Sequence, residues 1–247
     1  MLYKDEAVVL RTMRLGEADR IVTLLGRASG KVRAVAKGVR KTRSRIGGRL
    51  EPFSHVSVML WRGRGDLDTV SQVEVVETFR HVREDLRKLA LGEIMLEAAD
   101  RVVQERERTP RAFTLLVDGL GGLDATGSPL VLAAFLLRLA GVAGFAPRLD
   151  RCAECAAAAG WFSPSQGGAV CGRCRSRDAE EVGSGVLELL ADVVREGAWM
   201  RTDPGVVDTA VRLARYYTEY HLERRLRAAV TADVLLAGPP AREQPQP

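Results

Sequence analysis

Hydrophobic and polar positions along this chain follow two different rhythms, and the change falls near residue 80. Before it, apolar residues come in short runs, Ala7–Leu10, Arg20–Leu25, Lys31–Lys37, Val56–Trp61 and Thr69–Val76, and Lys31–Lys37 alternates strictly. Period-two alternation over four to eight residues predicts half-buried strands. A turn at Gly16 separates the first two, and Gly63-Arg64-Gly65-Asp66 supplies a hairpin signal before the last. Five short strands in so few residues predict a small closed barrel. The OB-fold is the nucleic-acid-binding barrel of that size, and an SH3-like barrel fits the pattern as well.

From Arg83 the period becomes helical. Leu86, Leu89, Ala90, Ile94, Ala98 and Val102 recur on one face. Thr109-Pro110 breaks the run and starts a second helix, Arg111–Leu123. After the linker Asp124–Pro129 comes a third, Leu130–Ala143. Val186–Ala198 and Val206–Arg227 are helical again, and the tail Gly238–Pro247 has the composition of a disordered segment. The expected organisation is α+β: a barrel over residues 1–80, an all-α unit over 81–237 with its own core, and a tail over 238–247.

A cysteine module interrupts the helices at residues 148–177. All four cysteines fall in Cys152-x2-Cys155-x15-Cys171-x2-Cys174. Two CxxC knuckles at this spacing predict one tetrahedral ion, and four thiolates leave no position open for substrate, so one structural Zn²⁺ is expected. A pair of disulfides and a CxxC redox centre are the competing readings. Neither suits the reducing cytosol implied by an N-terminus that lacks a secretion signal. No apolar run reaches the length of a membrane span, because Arg138 and glycines break Leu130–Ala146. The expected location is the cytoplasm, in association with the nucleoid.

Charge divides the chain at the same place as the periodicity. Residues 1–80 hold 16 Lys/Arg against 9 Asp/Glu, a net +7; residues 81–247 hold 21 against 23, a net −2. Between Arg20 and Leu50 no acidic residue interrupts the bases. Solvated faces usually mix both signs, so a one-sign run points to a polyanion. The candidate phosphate ligands are Lys31, Arg33, Lys37, Arg40, Lys41, Arg43, Arg45 and Arg49. A membrane surface would call for a basic amphipathic helix, which this strand-and-loop run is not.

Other signals are weaker. Gly26–Val32 is one residue short of a phosphate-binding GxxxxGK loop and has Val32 in place of the hydroxyl, so it is expected to be a hairpin turn. Asp66 and Asp68 could hold a nuclease metal, but two acids at a hairpin end are ordinarily solvated. His55, His81 and His221 share no metal or catalytic spacing. Of the aromatics, Phe53 and Trp61 could stack bases, although core packing is the commoner use. No catalytic constellation emerges, and no enzymatic activity is expected.

Three stretches resemble a known family. Gly30–Lys41 (GKVRAVAKGVRK), leading to Leu50-Glu51-Pro52, is similar to the basic third strand and loop of the RecO-type recombination mediators of bacteria. Leu136–Gly141 (LLRLAG) through Pro147-x-Leu149-x-x-Cys152 is similar to their entry into the zinc module. Trp161–Gly168 (WFSPSQGG) and Val170–Cys174 (VCGRC) are similar to the exit. The resemblance implies an N-terminal OB-fold, single- and double-stranded DNA as ligands, and ATP-independent annealing of complementary strands. It also implies a RecR-type partner and the acidic, hydrophobic C-terminal tail of single-strand-binding protein. Arg138, one turn from Phe135 and beside Leu136, Leu137 and Leu139, is the candidate residue for that tail. The rival reading is a zinc-containing RNA-binding or transcription-associated adaptor.

Overall fold

The computed structural model describes residues 1–40, 46–63, 65–196 and 203–236. Its first five strands are β1 (Leu2–Leu15), β2 (Asp19–Gly26), β3 (Gly30–Ala36), β4 (His55–Trp61) and β5 (Leu67–Glu77). They close into a barrel in the order β1-β2-β3-β5-β4. Only the β3–β5 contact is parallel. This is the OB-fold. The alternation in β3 is strict, with Val32, Ala34 and Ala36 inward and Lys31, Arg33 and Val35 outward. Val9, Val22, Leu24, Val56, Val58 and Leu60 complete an interior of small and branched side chains, which suits a narrow barrel.

The first strand is much longer than its apolar run. Leu2–Val8 pairs with β4 and Ala7–Leu15 pairs with β2, with an irregularity between Val9 and Arg11. One strand thus seals both sides of the barrel, and the irregularity lets it bend from one neighbour to the other. Charged residues interrupt both ends, so the unbroken apolar run Ala7–Leu10 reveals only the middle. The turn from Gly26 to Gly30 is a hairpin turn, as expected. Its N–H groups at Ala28 and Ser29 point at the carboxylate of Asp5, at 3.1 and 2.8 Å, so an internal anion takes the place a phosphate would need.

Among the described residues seven α-helices follow: α1 (Arg80–Glu84), α2 (Leu86–Val102), α3 (Pro110–Thr126), α4 (Pro129–Val142), α5 (Gly183–Glu196), α6 (Pro204–His221) and α7 (Arg227–Leu236). Local chemistry sets their starts. Asp85, Ser128 and Asp203 accept from Lys88, Leu130 and Gly205 N–H, and proline opens α3, α4 and α6. Helix α4 is apolar on nearly every side and forms the centre, with α2, α3, α5 and α6 packed round it.

The continuous helix expected over Val206–Arg227 is instead two. Glu223 adopts a left-handed conformation (φ 53°), and Arg224 N–H closes on Glu219 O. The new helix α7 then starts where carboxylates meet its free N–H groups: Glu219 accepts from Leu226 at 2.9 Å and Glu97 of α2 from Ala228 at 2.7 Å. The second acceptor lies far away in sequence.

The two units do not have separate cores. The barrel interior is its own cluster, but Val8, Leu10, Leu25 and Phe53 on the barrel exterior join the core of the helices. Gly30 (φ 69°) lies against the Glu107 carbonyl, where a Cβ would sit 1.8 Å from the oxygen. Arg106 N–H donates to Lys31 O at 2.8 Å. One face of the barrel is therefore covered by helical-unit residues.

Candidate nucleic-acid interface and metal centre

Between α4 and α5 the chain forms β6 (Trp161–Ser163), β7 (Gly168–Val170) and β8 (Glu180–Glu181), a small antiparallel sheet in the order β7-β6-β8. Each CxxC is a tight turn: Ala156 N–H bonds to Cys152 O, and Cys174 and Arg175 N–H bond to Cys171 O. These turns gather all four thiols, whose sulfurs lie within 4.8 Å of one another. Cys155 Sγ and Cys171 Sγ are 3.7 Å apart. Tetrahedral zinc with Zn–S near 2.3 Å requires sulfurs about 3.8 Å apart, so the donors fit such an ion.

Electrostatics agree. Backbone N–H groups, that of Cys155 foremost, draw the Cys152 thiol down to about 6. Hydrogen bonds with Cys155 and Cys171 push Cys174 up to about 12. Four thiols this close cannot all ionise unless a cation sits among them. Behind the thiols, Phe162 packs edge-on to Tyr217 of α6 at 5.7 Å, and Phe162, Ala169 and Leu149 belong to the helical core. The module therefore pins α6 against the rest of the unit.

The cations of the barrel divide by whether a carboxylate meets them. Lys31 reaches the Asp100 carboxylate at 3.3 Å and also bonds the Asp100 carbonyl. Arg20 pairs with Glu51 at 2.6 Å, Arg27 with Glu6 at 3.0 Å and Arg11 with Asp100 at 2.8 Å. Lys37 is exposed, and among the described residues it has no ion pair or hydrogen bond from its side chain. Arg40 is exposed, and among the described residues it donates to the carbonyls of Gly16 and Glu17, which leave its charge unmatched. Arg49 likewise donates to Val73 O at 2.9 Å. Arg33 is half-buried, and its Nε meets no acceptor. Lys41, Arg43 and Arg45 lie outside the described residues.

Arg14 joins the unmatched group. It lies directly opposite Arg20 across the β1–β2 pair. Like charges in that position repel. Glu51 relieves Arg20, whereas Arg14 is exposed and has no partner among the described residues. Arg14 falls before the uninterrupted basic run, so only the strand register brings it to the site. Arg14, Lys37, Arg40 and Arg49 leave a positive field at the barrel end carrying the β1–β2 turn, an arrangement suited to phosphates.

The remaining candidates sit elsewhere. Asp68 is fully buried, not solvated: Tyr3 OH donates to it at 2.5 Å, Arg106 at 3.1 Å and Gly63 N–H at 3.2 Å. Asp66 is exposed, so the two acids do not form a metal pair. Phe53 is buried between the units, while Trp61 is exposed. Arg138 donates to the carbonyls of Val194 and Val193, at 2.8 and 3.2 Å, near the end of α5, and Leu136, Leu137 and Leu139 are core residues. Among the described residues no helix is long and apolar enough to cross a membrane.

Comparison with known proteins covers both units. The family model described as Recombination protein O N terminal matches residues 1–79, and the one described as Recombination protein O C terminal matches residues 83–229. A DNA repair protein RecO from a Nocardioides species is 45% identical over 242 residues, spanning 92% of this chain and 98% of the relative. A DNA repair protein RecO from Frankia casuarinae is 45% identical over 236 residues, spanning 92% of this chain and 96% of the relative. With a five-stranded barrel, a helical unit and a cysteine cluster in the same order, this chain belongs to the RecO family.

Proposed function

We propose that this protein is a DNA repair and recombination accessory factor that binds single- and double-stranded DNA and anneals complementary strands without ATP. The observation that carries the reading is the sorting of barrel cations. Arg11 and Lys31, against the helical unit, are met by Asp100 of α2, whereas Arg14, Lys37, Arg40 and Arg49, around the open end, meet no carboxylate among the described residues. Lys41, Arg43 and Arg45 follow Arg40 in sequence and extend the same basic run. Lys31 and Arg33 belong to the binding strand as well, Lys31 with its charge already shared with Asp100. The names of the curated relatives support the assignment to DNA repair.

Annealing has a physical route in this arrangement. Cations that neutralise phosphates on two strands reduce their mutual repulsion while leaving base edges free to pair. No bond is broken, so no nucleophile or general base is required. The metal is one Zn²⁺ on Cys152, Cys155, Cys171 and Cys174, and it holds the module's fold.

The near-neutral helical unit is left for protein partners: a RecR-type protein and the C-terminal tail of single-strand-binding protein. Such a tail needs an apolar slot with an arginine rim. A groove of about 360 Å³ between α2, α4, α6 and α7 is lined by Leu91, Ile94, Leu132 and Val211 together with Arg87, Arg212 and Arg215. Arg212 already pairs with Glu180 and Arg215 with Asp233, which leaves Arg87 as the cation open to a tail carboxylate. Arg138 of α4, engaged with carbonyls near the end of α5, does not line this groove and would contribute from another side of the helical unit.

The test is annealing of complementary DNA oligonucleotides, one fluorescently labelled and its complement quenched, without nucleotide. Acceleration over the spontaneous rate is expected for DNA coated with single-strand-binding protein as well as for bare DNA. An unchanged rate in both would reject the reading and favour the RNA-binding adaptor.

A further inference from the structure

The outer face of the first hairpin carries apolar side chains where a soluble barrel would place polar ones. In the β1–β2 pair, Val8 stands opposite Leu25, Arg11 opposite Thr23, Met13 opposite Ile21 and Leu15 opposite Asp19. Residues opposite one another share a face. The lower end of this face, Val8 and Leu25, is covered by the helices. The upper end is open: Met13 is 49% exposed and Leu15 38%. Ile21, opposite Met13, is buried, and the half-buried Val35 of β3 stands beside it in register. Isolated surface apolar residues are common, but these are contiguous across three strands.

Ile21 and Val22 anchor the base of the hairpin by burial, and polar bonds hold its tip. Arg40 N–H donates to Ala18 O at 3.0 Å, Gly38 N–H to Asp19 Oδ1 at 2.7 Å, and the Arg40 guanidinium to Gly16 O and Glu17 O at 3.1 and 2.8 Å. The ribbon thus stands rigid with Met13 and Leu15 in water. The same contacts bring Arg40 to the hairpin's tip, Lys37 leaves β3 next to the apolar face, and Arg14 projects from the ribbon's other side. Apolar groups rimmed by unmatched cations complement a polymer with apolar faces and an anionic backbone. Single-stranded DNA is that polymer; in a duplex the base faces are already stacked.

We propose that Met13 and Leu15 form a wedge that presses on the faces of bases in single-stranded DNA, separating neighbouring bases while Arg14, Lys37 and Arg40 hold the phosphates. This rests on the DNA-binding reading above and extends it from backbone neutralisation to contact with bases. Apolar side chains such as Met and Leu inserted between base steps unstack them. A strand presented with its bases unstacked is freed from its own secondary structure and ready to meet a complement.

Single-stranded oligonucleotides containing 2-aminopurine, which brightens when unstacked, distinguish base contact from phosphate contact. The wild-type chain, the pair Met13→Ser with Leu15→Ser, and the conservative pair Met13→Leu with Leu15→Met are compared on single-stranded and duplex DNA. Wild type and the conservative pair are expected to raise the fluorescence at saturation. The serine pair should saturate without that rise and bind single strands about tenfold more weakly. Its duplex affinity and salt dependence should stay as in wild type. A serine pair that keeps the full rise, or that loses single-strand and duplex affinity equally, overturns the wedge and leaves the phosphate site standing. A wild-type chain that binds neither DNA form overturns the DNA-binding reading and the wedge with it.

Discussion

Asp68 illustrates how a residue's surroundings decide its chemistry. A fully buried carboxylate survives because Tyr3, Arg106 and Gly63 N–H all donate to it. Desolvation alone would raise its pKa, but the bonds from Tyr3 and Arg106 outweigh it and hold the carboxyl below its ordinary value. Burial in turn pushes the Tyr3 hydroxyl upward, so it stays a donor. Because Arg106 follows α2 and Asp68 opens β5, the contact also ties the two units together. Asp68→Asn removes the charge that Arg106 faces and should cost about 3 kcal/mol at pH 7 by thermal or urea unfolding. The folded pKa lies below the unfolded value near 3.9, so this stabilisation is present above about pH 4 and is lost as pH falls through the folded pKa. The gap between wild type and variant should therefore narrow in acid. A gap that is absent at neutral pH, or that widens in acid, would show that the carboxylate does not hold the contact. The acids at this hairpin end were legible in the sequence; their burial was not, since both principal donors come from distant segments.

The cysteine module shows which elements can be read from sequence and which cannot. Its ligands are local pairs at fixed spacing, so the four residues that converge could be named without a fold. The same holds for β3, where inward and outward positions alternate without a break. By contrast, β1 extends well past its apolar run, because its ends need only backbone pairing. The division of α6 from α7 escapes periodicity too, because it depends on Glu97 of α2 accepting from the first turn of α7. The module's contribution follows from its two contacts, thiols on one side and Phe162 against Tyr217 on the other. Purified wild type should hold one zinc per chain, and Cys174→Ser should hold markedly less. Without four thiolates closing the turns, Phe162 loses its support, and the unfolding midpoint should fall by several degrees. Because Val8, Leu10, Leu25 and Phe53 share the helical core, the barrel should lose stability along with the helices. A variant without zinc but with an unchanged midpoint would reduce the module to an ornament of the fold.

Across the molecule, charge and coverage divide the barrel into two ends. Helical-unit residues cover one, where Asp100 meets Arg11 and Lys31, and leave the other open. The one-sign run from Arg20 to Leu50 points to a polyanion, but sequence alone does not rank its members. Carboxylates on β1, on α2 and just after the run meet Arg27, Lys31 and Arg20, while Arg14 enters from β1 through register alone. Salt dependence of single-stranded DNA binding, measured for wild type and for Lys37→Glu with Arg14→Glu, two exposed cations without a partner among the described residues, tests the open-end site most directly. If about six phosphates are contacted, the wild-type log–log slope should be roughly −4. Losing two cations should bring it to roughly −3, with affinity falling at least tenfold at low salt and the thermal midpoint preserved. Binding that is insensitive to salt, or a reversal variant with wild-type affinity and slope, would contradict the assignment of DNA to the open end of the barrel.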